Sequence, residues 1–371
     1  MRIVHVVSYM SDDGAYGGPA SVAEDQCRSL AARGHDVTLL AAAPTSETCR
    51  DSIHGYQRVL FPARRVGGPS TTSFAFMSSP RMLRSLRGPK TFDVAHVHMA
   101  RDLVTLPAAW LLSRKMPMVI QTHGMIDRSP RHLAHLLDAT ITRRMLRRAA
   151  EVLSLTRDED EELHSLEPRA QVRRTANGID IDLGPPIDER PLHVLFAARL
   201  HSRKRPMTFI AAAERVAEVH STATFTLLGP DEGELPAVLE ALERSTFKDR
   251  IHYGGAVSRD AVRDQLRQSS AYVLPSQGEV FPVTVLEAWA AGTPVITTTS
   301  SGIAGISTEH ELAIVTDGTV EDLSQSMIQL LSSAKQRALL RMNALDYVHA
   351  NLSTETIAMN LEKSYERAGR K

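Results

Sequence analysis

Short apolar runs with strand character alternate with helical stretches along nearly the whole chain. The runs fall at 3–8, 37–42, 94–98, 118–122 and 152–155, then at 193–198, 224–228, 250–253, 272–274, 294–298 and 313–315. That rhythm predicts βαβ units, hence parallel sheets covered by helices on both faces. It comes in two series, separated at 178–188, where Gly178, Gly184, Pro185, Pro186, Asp180, Asp182 and Asp188 gather. Two Rossmann-like, doubly wound α/β domains are expected, at 1–182 and 190–350. Ligands of such sheets bind beyond the carboxyl ends of the strands, so a site is expected in the cleft between the domains.

A chain of 371 residues is long enough for two such domains. No run of about 18 apolar residues is present, which argues against a membrane-spanning helix. The first apolar run is short and is followed at once by Asp12 and Asp13, so it reads as a buried strand rather than a signal peptide. Cys27 and Cys49 have no metal-ligand spacing, and reduced thiols in a cytoplasmic protein are expected. Charge is shared unevenly, with 24 basic against 19 acidic residues in 1–180 and 19 against 24 in the remainder. The first half therefore suits an anionic or membrane-associated partner better than the second. No nucleic-acid-binding motif accompanies the asymmetry, so no nucleic acid is expected.

The most informative stretch is 278–296. A polar loop with Gly278 follows the run 271–274; Val283, Leu286, Ala290 and Ala291 then recur at helical spacing, and Gly292 stops the helix before a strand opening at Pro294. Glu279 lies on the entry loop and Glu287 inside the helix. A helix N-terminus placed after a strand offers free N–H groups to an anion such as phosphate. Two carboxylates eight residues apart mean little by themselves. Their surroundings resemble the E-x7-E signature of retaining glycosyltransferases of the two-domain GT-B type, the family-four or group 1 type that includes mannosyl- and sucrose-type transferases. The resemblance is carried by Glu279, Phe281, Pro282, Glu287, Ala288, Ala291, Gly292, Pro294 and Val295.

The resemblance implies a GT-B fold, two Rossmann-like domains facing each other across a cleft, and it reaches other parts of the chain. Arg199 and Lys204 match an R-x4-K pair that stabilises the departing diphosphate, with Arg203 and Arg205 as alternatives in the neighbouring register. His123, in Gln121-Thr122-His123-Gly124, matches a histidine that faces the donor sugar, while His96 and His98 match a structural His-x-His strand end. Gly17 and Gly18, in the glycine-rich loop 14–20, match a loop flanking donor diphosphate and acceptor. The segment 250–258, with Val257, resembles a turn that reads the nucleotide base through backbone groups. Glu279 would hold donor-sugar hydroxyls and Glu287 the ribose, with Phe281, Pro282 and Val283 lining the diphosphate end. Asn177-Gly178-Ile179-Asp180 resembles the segment closing the first domain, and the last helix, about 354–368, is expected to cross back onto that domain.

The implied activity is transfer of a sugar with retention, from a nucleotide sugar (a UDP- or GDP-sugar) to an acceptor hydroxyl. The acceptor would be a glycan, a lipid-linked glycan or a small molecule, and the setting bacterial glycan or glycolipid assembly. No cofactor or metal is expected, since His96, His98 and His123 lack acidic or cysteine partners at ligand spacing and Asp180-Ile181-Asp182 lies in the linker. Hydrolysis needs an acid and a base flanking the bond, which this pattern does not offer. A sugar-nucleotide epimerase, a non-catalytic sugar-nucleotide binder and glycosylation of a natural product remain as alternatives.

Two further stretches have two readings each. Residues 131–150 form an amphipathic helix ending in Arg143, Arg144, Arg147 and Arg148. The arginines complement the helix dipole, or they meet the inner face of a membrane or an anionic lipid-linked acceptor. Residues 45–92, with Arg64, Arg65, Arg81, Arg84, Arg87, Lys90 and the loop 71–76, read as a solvated variable surface or as an acceptor contact. Residues 158–162 read as an acidic helix start.

Overall fold

The structure, a computed structural model, describes residues 1–10, 17–67, 74–89, 91–127 and 132–370. Residues 14–16 of the glycine-rich loop, 71–73 of the second loop, Lys90 and residue 131 of the basic helix lie outside them. The chain divides into two compact units, 1–178 with 354–371, and 179–353.

The first unit is built on eight strands in the order Val172–Arg174, Glu151–Ser154, Met118–Gln121, Val94–His98, Arg2–Tyr9, Asp36–Ala43, Tyr56–Pro62 and Cys49–Ile53. All neighbours are parallel except the last pair. Side chains alternate between the two faces of the sheet. Val4, Val6, Ala95 and Val97 point into one apolar layer with Met82, Leu106 and Leu112. Ile3, Val7 and Val94 point into the other, against Cys27 and Leu30 of helix Gly17–Ala32 and Ile357, Leu361 and Tyr365 of helix Thr354–Gly369. The register places His5, His96 and His98 on this second face, fully buried. The last helix is fastened there by Arg367 to Glu151 (2.5 Å) and by Glu362 to Arg33 and His35 (2.8 Å each).

The stretch 45–92 departs from the expected surface loop. Two of its segments, Cys49–Ile53 and Tyr56–Pro62, form a hairpin that extends the sheet. Its two-residue turn is His54-Gly55, with φ of 48° and 87°. Paired positive φ values give the turn whose twist matches that of antiparallel strands. The strand Val172–Arg174 is likewise an addition to the expected series.

The second unit carries six parallel strands in the order Ile251–Tyr253, Thr224–Leu228, His193–Ala197, Ala271–Val273, Val295–Thr298 and Ala313–Thr316. Val194, Phe196, Phe225, Leu227 and Ile296 pack with Phe209 and Ala213 of helix Pro206–Val219 and Met327 and Leu330 of helix Val320–Ser332. The Gly/Pro-rich stretch from Ile179 belongs to this unit rather than hanging free. Buried Arg190 explains part of this, donating to the carbonyls of Pro185, Ser269 and Ala291 and to the Thr293 hydroxyl, each at 3.0 Å. Burial pushes that guanidinium down to about 10, with Arg341 adding to the effect. Arg267 holds Asp182 at 2.5 and 2.6 Å, and Gly184 lies so close to the Arg267 carbonyl that a Cβ would meet it at 2.1 Å.

Candidate functional site

In each sheet one pair of neighbouring strands sends its connections in opposite directions, and a crevice opens beyond their carboxyl ends. In the first unit the pair is Arg2–Tyr9 and Val94–His98; in the second it is His193–Ala197 and Ala271–Val273.

At the first crevice, Ser8 donates to Asp102 at 2.5 Å, and Asp102 also receives the N–H groups of Val104 (2.8 Å) and Thr105 (2.6 Å). Burial raises the Asp102 carboxyl despite these donors. One strand further along, His123 follows Met118–Gln121 at φ 52°, with Gly124 at 71°. A non-glycine residue in this region costs of order 1 kcal/mol and needs support from its surroundings. Glu159 supplies it. This buried carboxylate accepts the Thr122 hydroxyl at 2.5 Å and the Gly124 N–H at 2.6 Å on one oxygen, and the Leu155 N–H at 2.7 Å on the other. Arg101 fixes the next residues, donating to the Asp127 carbonyl at 2.6 Å and gripping Asp138 at 2.9 and 3.0 Å. Asp138 opens a π-helical turn, 138–142, between helices His132–Leu137 and Arg143–Arg148. Burial pushes His123 down to about 3, so the ring is neutral.

His5, His96 and His98 also form a cluster whose ring nitrogens lie within 4.8 Å of one another. The rings of His96 and His98 are stacked, 4.6 Å apart and 8° from parallel. A metal ion lies near the plane of each imidazole that binds it. As the side chains stand, His98 engages both ring nitrogens with His5 and His123, and His5 engages its own with His98 and Tyr365.

At the second crevice, Lys204 and Glu279 form an ion pair, and both side chains are mostly buried. Arg203 braces the same loop through the Gly278 carbonyl at 2.7 Å, with Gly278 at φ 68°. Arg205, at φ 56°, lies instead against Gly318. Arg199 pairs with Glu232 at 2.5 Å. The strand ends approach closely here because Gly229 has no side chain; a Cβ would stand 1.9 Å from the Ala198 carbonyl. Helix Val283–Ala290 starts after Pro282, with no side chain capping its first N–H groups. Its first turn is tied to the sheet by Tyr272, whose hydroxyl bonds Ala197 O (3.0 Å) and Thr284 Oγ1 (2.9 Å). Phe281 and Val283 are half-buried beside it. Glu287 is buried one turn on, held by Arg259 Nε at 2.5 Å and Arg263 Nε at 3.3 Å. Those arginines come from helix Arg259–Gln268, whose cap, Ser258, follows exposed Val257. A narrow pocket reaches Glu287 past Ile179, Asp180, Asp182 and Arg263.

Lys204, Glu279 and the helix start thus meet at one strand end, while Arg199 is paired with Glu232 and Glu287 with two arginines. Gly17 opens helix Gly17–Ala32, and Gly18 is exposed, with open space where a Cβ would be. Sequence reasoning missed Glu159, His5, Tyr365, Glu232 and the two arginines on Glu287. His5 alone gave a signal, as a polar residue inside the apolar run that opens the chain.

Two doubly wound units of this kind make up the GT-B class of glycosyltransferases. The chain belongs to the family-four, group 1 glycosyltransferases: residues 16–183 match "Glycosyltransferase Family 4" and residues 182–346 match "Glycosyl transferases group 1". A similar solved structure is a sucrose-phosphate synthase from Thermosynechococcus elongatus, with a TM-score of 0.77, 17% identity and 99% of each chain covered. Another is HepE of Anabaena in complex with UDP and glucose, with a TM-score of 0.73, 15% identity and 99% of each chain covered. Among characterised relatives, a glycogen synthase of Mycobacterium tuberculosis is 25% identical over 335 residues, 82% of this chain and 79% of that protein. Two others match over less than half their length. A 2-deoxystreptamine N-acetyl-D-glucosaminyltransferase of Niallia circulans is 28% identical over 152 residues, 41% of this chain and 39% of that protein. An N,N'-diacetylbacillosaminyl-diphospho-undecaprenol N-acetylgalactosaminyltransferase of Campylobacter jejuni is 32% identical over 183 residues, 49% of this chain and 46% of that protein.

Proposed function

We propose that this glycosyltransferase moves a sugar, with retention, from a UDP- or GDP-sugar to an acceptor hydroxyl in glycan or glycolipid assembly. The observation that carries the reading is the meeting of Lys204, Glu279 and the uncapped start of helix Val283–Ala290 at the second switch point. A cation and free N–H groups there suit a diphosphate whose charge grows as it departs. Arg199 adds a second cation on the same strand end. Glu279 holds donor-sugar hydroxyls, Glu287 the ribose, and His123 faces the donor sugar. The acceptor hydroxyl loses its proton to the departing phosphate oxygen, on the same face of the sugar. Retention and these roles rest on the motif resemblance. UDP as the nucleotide is supported by the HepE complex, and a lipid-linked acceptor by the name of the Campylobacter relative. The Niallia relative favours a second reading, a small-molecule acceptor.

A thermal-shift screen of UDP- and GDP-sugars tests the donor, since a bound ligand stabilises the fold. Stabilisation by one nucleotide family, and a product with the donor's anomeric configuration, are expected. Inversion, or no shift with any nucleotide sugar, overturns the reading. Turnover is expected to survive EDTA.

A further inference from the structure

His123 is the outer end of a hydrogen-bonded chain that runs through the interior of the first unit. His123 Nε2 lies 2.8 Å from His98 Nδ1, and His98 Nε2 lies 3.1 Å from His5 Nδ1. His5 Nε2 lies 3.2 Å from the Tyr365 hydroxyl, which lies 2.8 Å from His96 Nδ1. The ring centroids of His123 and His98 are 5.1 Å apart at 13°, and those of His98 and His5 are 5.4 Å apart at 35°. Those separations are what rings meeting nitrogen edge to nitrogen edge require. The inner four residues are buried to within 1%.

Every bond in such a chain needs one hydrogen, and a neutral imidazole has one to give. The choice at one end therefore propagates to the other. Burial keeps His5 and His123 down to about 3 and His96 and His98 well below their ordinary value, while it raises the Tyr365 hydroxyl. The members stay neutral, and only two arrangements of hydrogens satisfy all four bonds.

His96 Nε2 decides between them, because it is buried and makes no hydrogen bond within 3.5 Å; the Gln121 side chain, near enough to favour the charged ring, gives it no bond of ordinary length. An orphaned N–H is rarer in folded proteins than an acceptor left short of a partner, so the cheaper arrangement leaves a bare lone pair there. The hydrogen of His96 then sits on Nδ1 and is donated to Tyr365. Tyr365 donates to His5, His5 to His98, and His98 to Nε2 of His123.

We propose that His98, His5 and Tyr365 are positioning residues that lock His123 in the Nδ1–H tautomer, making it a neutral hydrogen-bond donor at the strand end and not a base. The inference rests on the proposed role of His123 toward the donor sugar, and it adds that this residue takes no proton during transfer. The acceptor's proton still goes to the departing phosphate oxygen.

The test is 15N imidazole spectroscopy of the full, ligand-free chain labelled at histidine. The His123 signals, assigned with a His123→Asn variant, are expected to report hydrogen on Nδ1 alone across pH 5 to 8. Tyr365→Phe keeps the ring and removes the hydroxyl, and it is expected to give a mixture of His123 tautomers. Turnover should fall about tenfold or more with little change in donor KM, since a wrong tautomer strikes the chemical step. Hydrogen on Nε2 in the wild type, or an unchanged tautomer in a folded Tyr365→Phe chain, overturns the proposal. If that variant does not fold, the wild-type spectrum alone decides. The spectrum needs no turnover, so a failed glycosyltransfer assay and a failed relay are read separately.

Discussion

Glu159 takes the Gly124 N–H at 2.6 Å on the same carboxylate oxygen that takes the Thr122 hydroxyl, so one buried side chain holds the residues on both sides of His123. Removing it by Glu159→Ala strands these two donors and the Leu155 N–H. Each stranded buried donor costs about 1–3 kcal/mol, so a loss of about 3 kcal/mol in urea unfolding is expected, together with a strong fall in turnover. Wild-type stability and turnover in Glu159→Ala would remove the residue from the site.

The Lys204–Glu279 pair separates a structural role from a chemical one. Lys204→Ala, and Arg199→Ala beside it, should each lower turnover by ~10²-fold or more if the cations stabilise a departing diphosphate. In the double variant Lys204→Met/Glu279→Gln no unpaired charge remains, so stability should recover while turnover does not. Recovery of both would make the lysine merely a counter-ion.

Glu287 is committed to Arg259 and Arg263, so a ribose has to share a carboxylate that is already neutralised. Glu287→Ala leaves two partly buried guanidinium groups facing each other. Breaking a buried pair costs about 3–5 kcal/mol; these arginines are partly exposed and keep other contacts, so a loss at or below the low end of that range is expected, with the donor KM rising alongside. Isothermal titration with the donor nucleotide checks the second effect. Unchanged affinity in a folded variant would take Glu287 out of the nucleotide site.

Buried histidines give the fold a pH dependence of known sign. His5 is held near 3 by burial, against 6.5 when unfolded, so between those values only the unfolded chain binds its proton. Stability is therefore fullest above about pH 6.5 and falls as pH drops toward 3, by about 1.4 kcal/mol per pH unit for His5 alone. His96 and His98 act in the same direction. Urea midpoints at pH 7.5, 6.5, 5.5 and 5.0 should fall modestly between the first two and then more steeply. A flat series to pH 5.0 contradicts the buried neutral cluster.

Much of this was legible in the chain because apolar runs flanked by helical stretches leave little choice but parallel sheets. Lys204 and Glu279 were visible through the R-x4-K and E-x7-E patterns they resemble, each placed just after a strand-like run. Glu159 was not visible, because an acidic residue in the first turn of a helix is favoured there even when solvated. Only the packing of helix Arg157–Leu166 turns it inward, behind the Thr156 cap. Tyr365 stands 269 residues from His96, a separation no local pattern spans. The hairpin 49–62 was hidden because its outer strand is mostly exposed and lacks the apolar alternation of a half-buried strand.

The basic helix can now be divided. Arg143 donates to the Leu166 carbonyl at 2.6 Å and Arg147 lies 3.9 Å from Glu167, so both have partners in the unit's own surface. Arg144 and Arg148 are exposed and have no ion pair among the described residues. No described helix is long and apolar enough to cross a membrane, so any lipid contact through this helix is peripheral. If the acceptor is lipid-linked, Arg144 and Arg148 face the anionic surface, each adding about 1 kcal/mol. Arg144→Gln/Arg148→Gln should then lower vesicle affinity by roughly thirtyfold, with the remaining binding weakened by salt. Arg143→Gln/Arg147→Gln should affect stability more than binding. Co-sedimentation with vesicles containing anionic lipid reads both variants, with zwitterionic vesicles as the control. Wild-type protein left in the supernatant with both vesicle types would turn the acceptor reading toward a soluble small molecule.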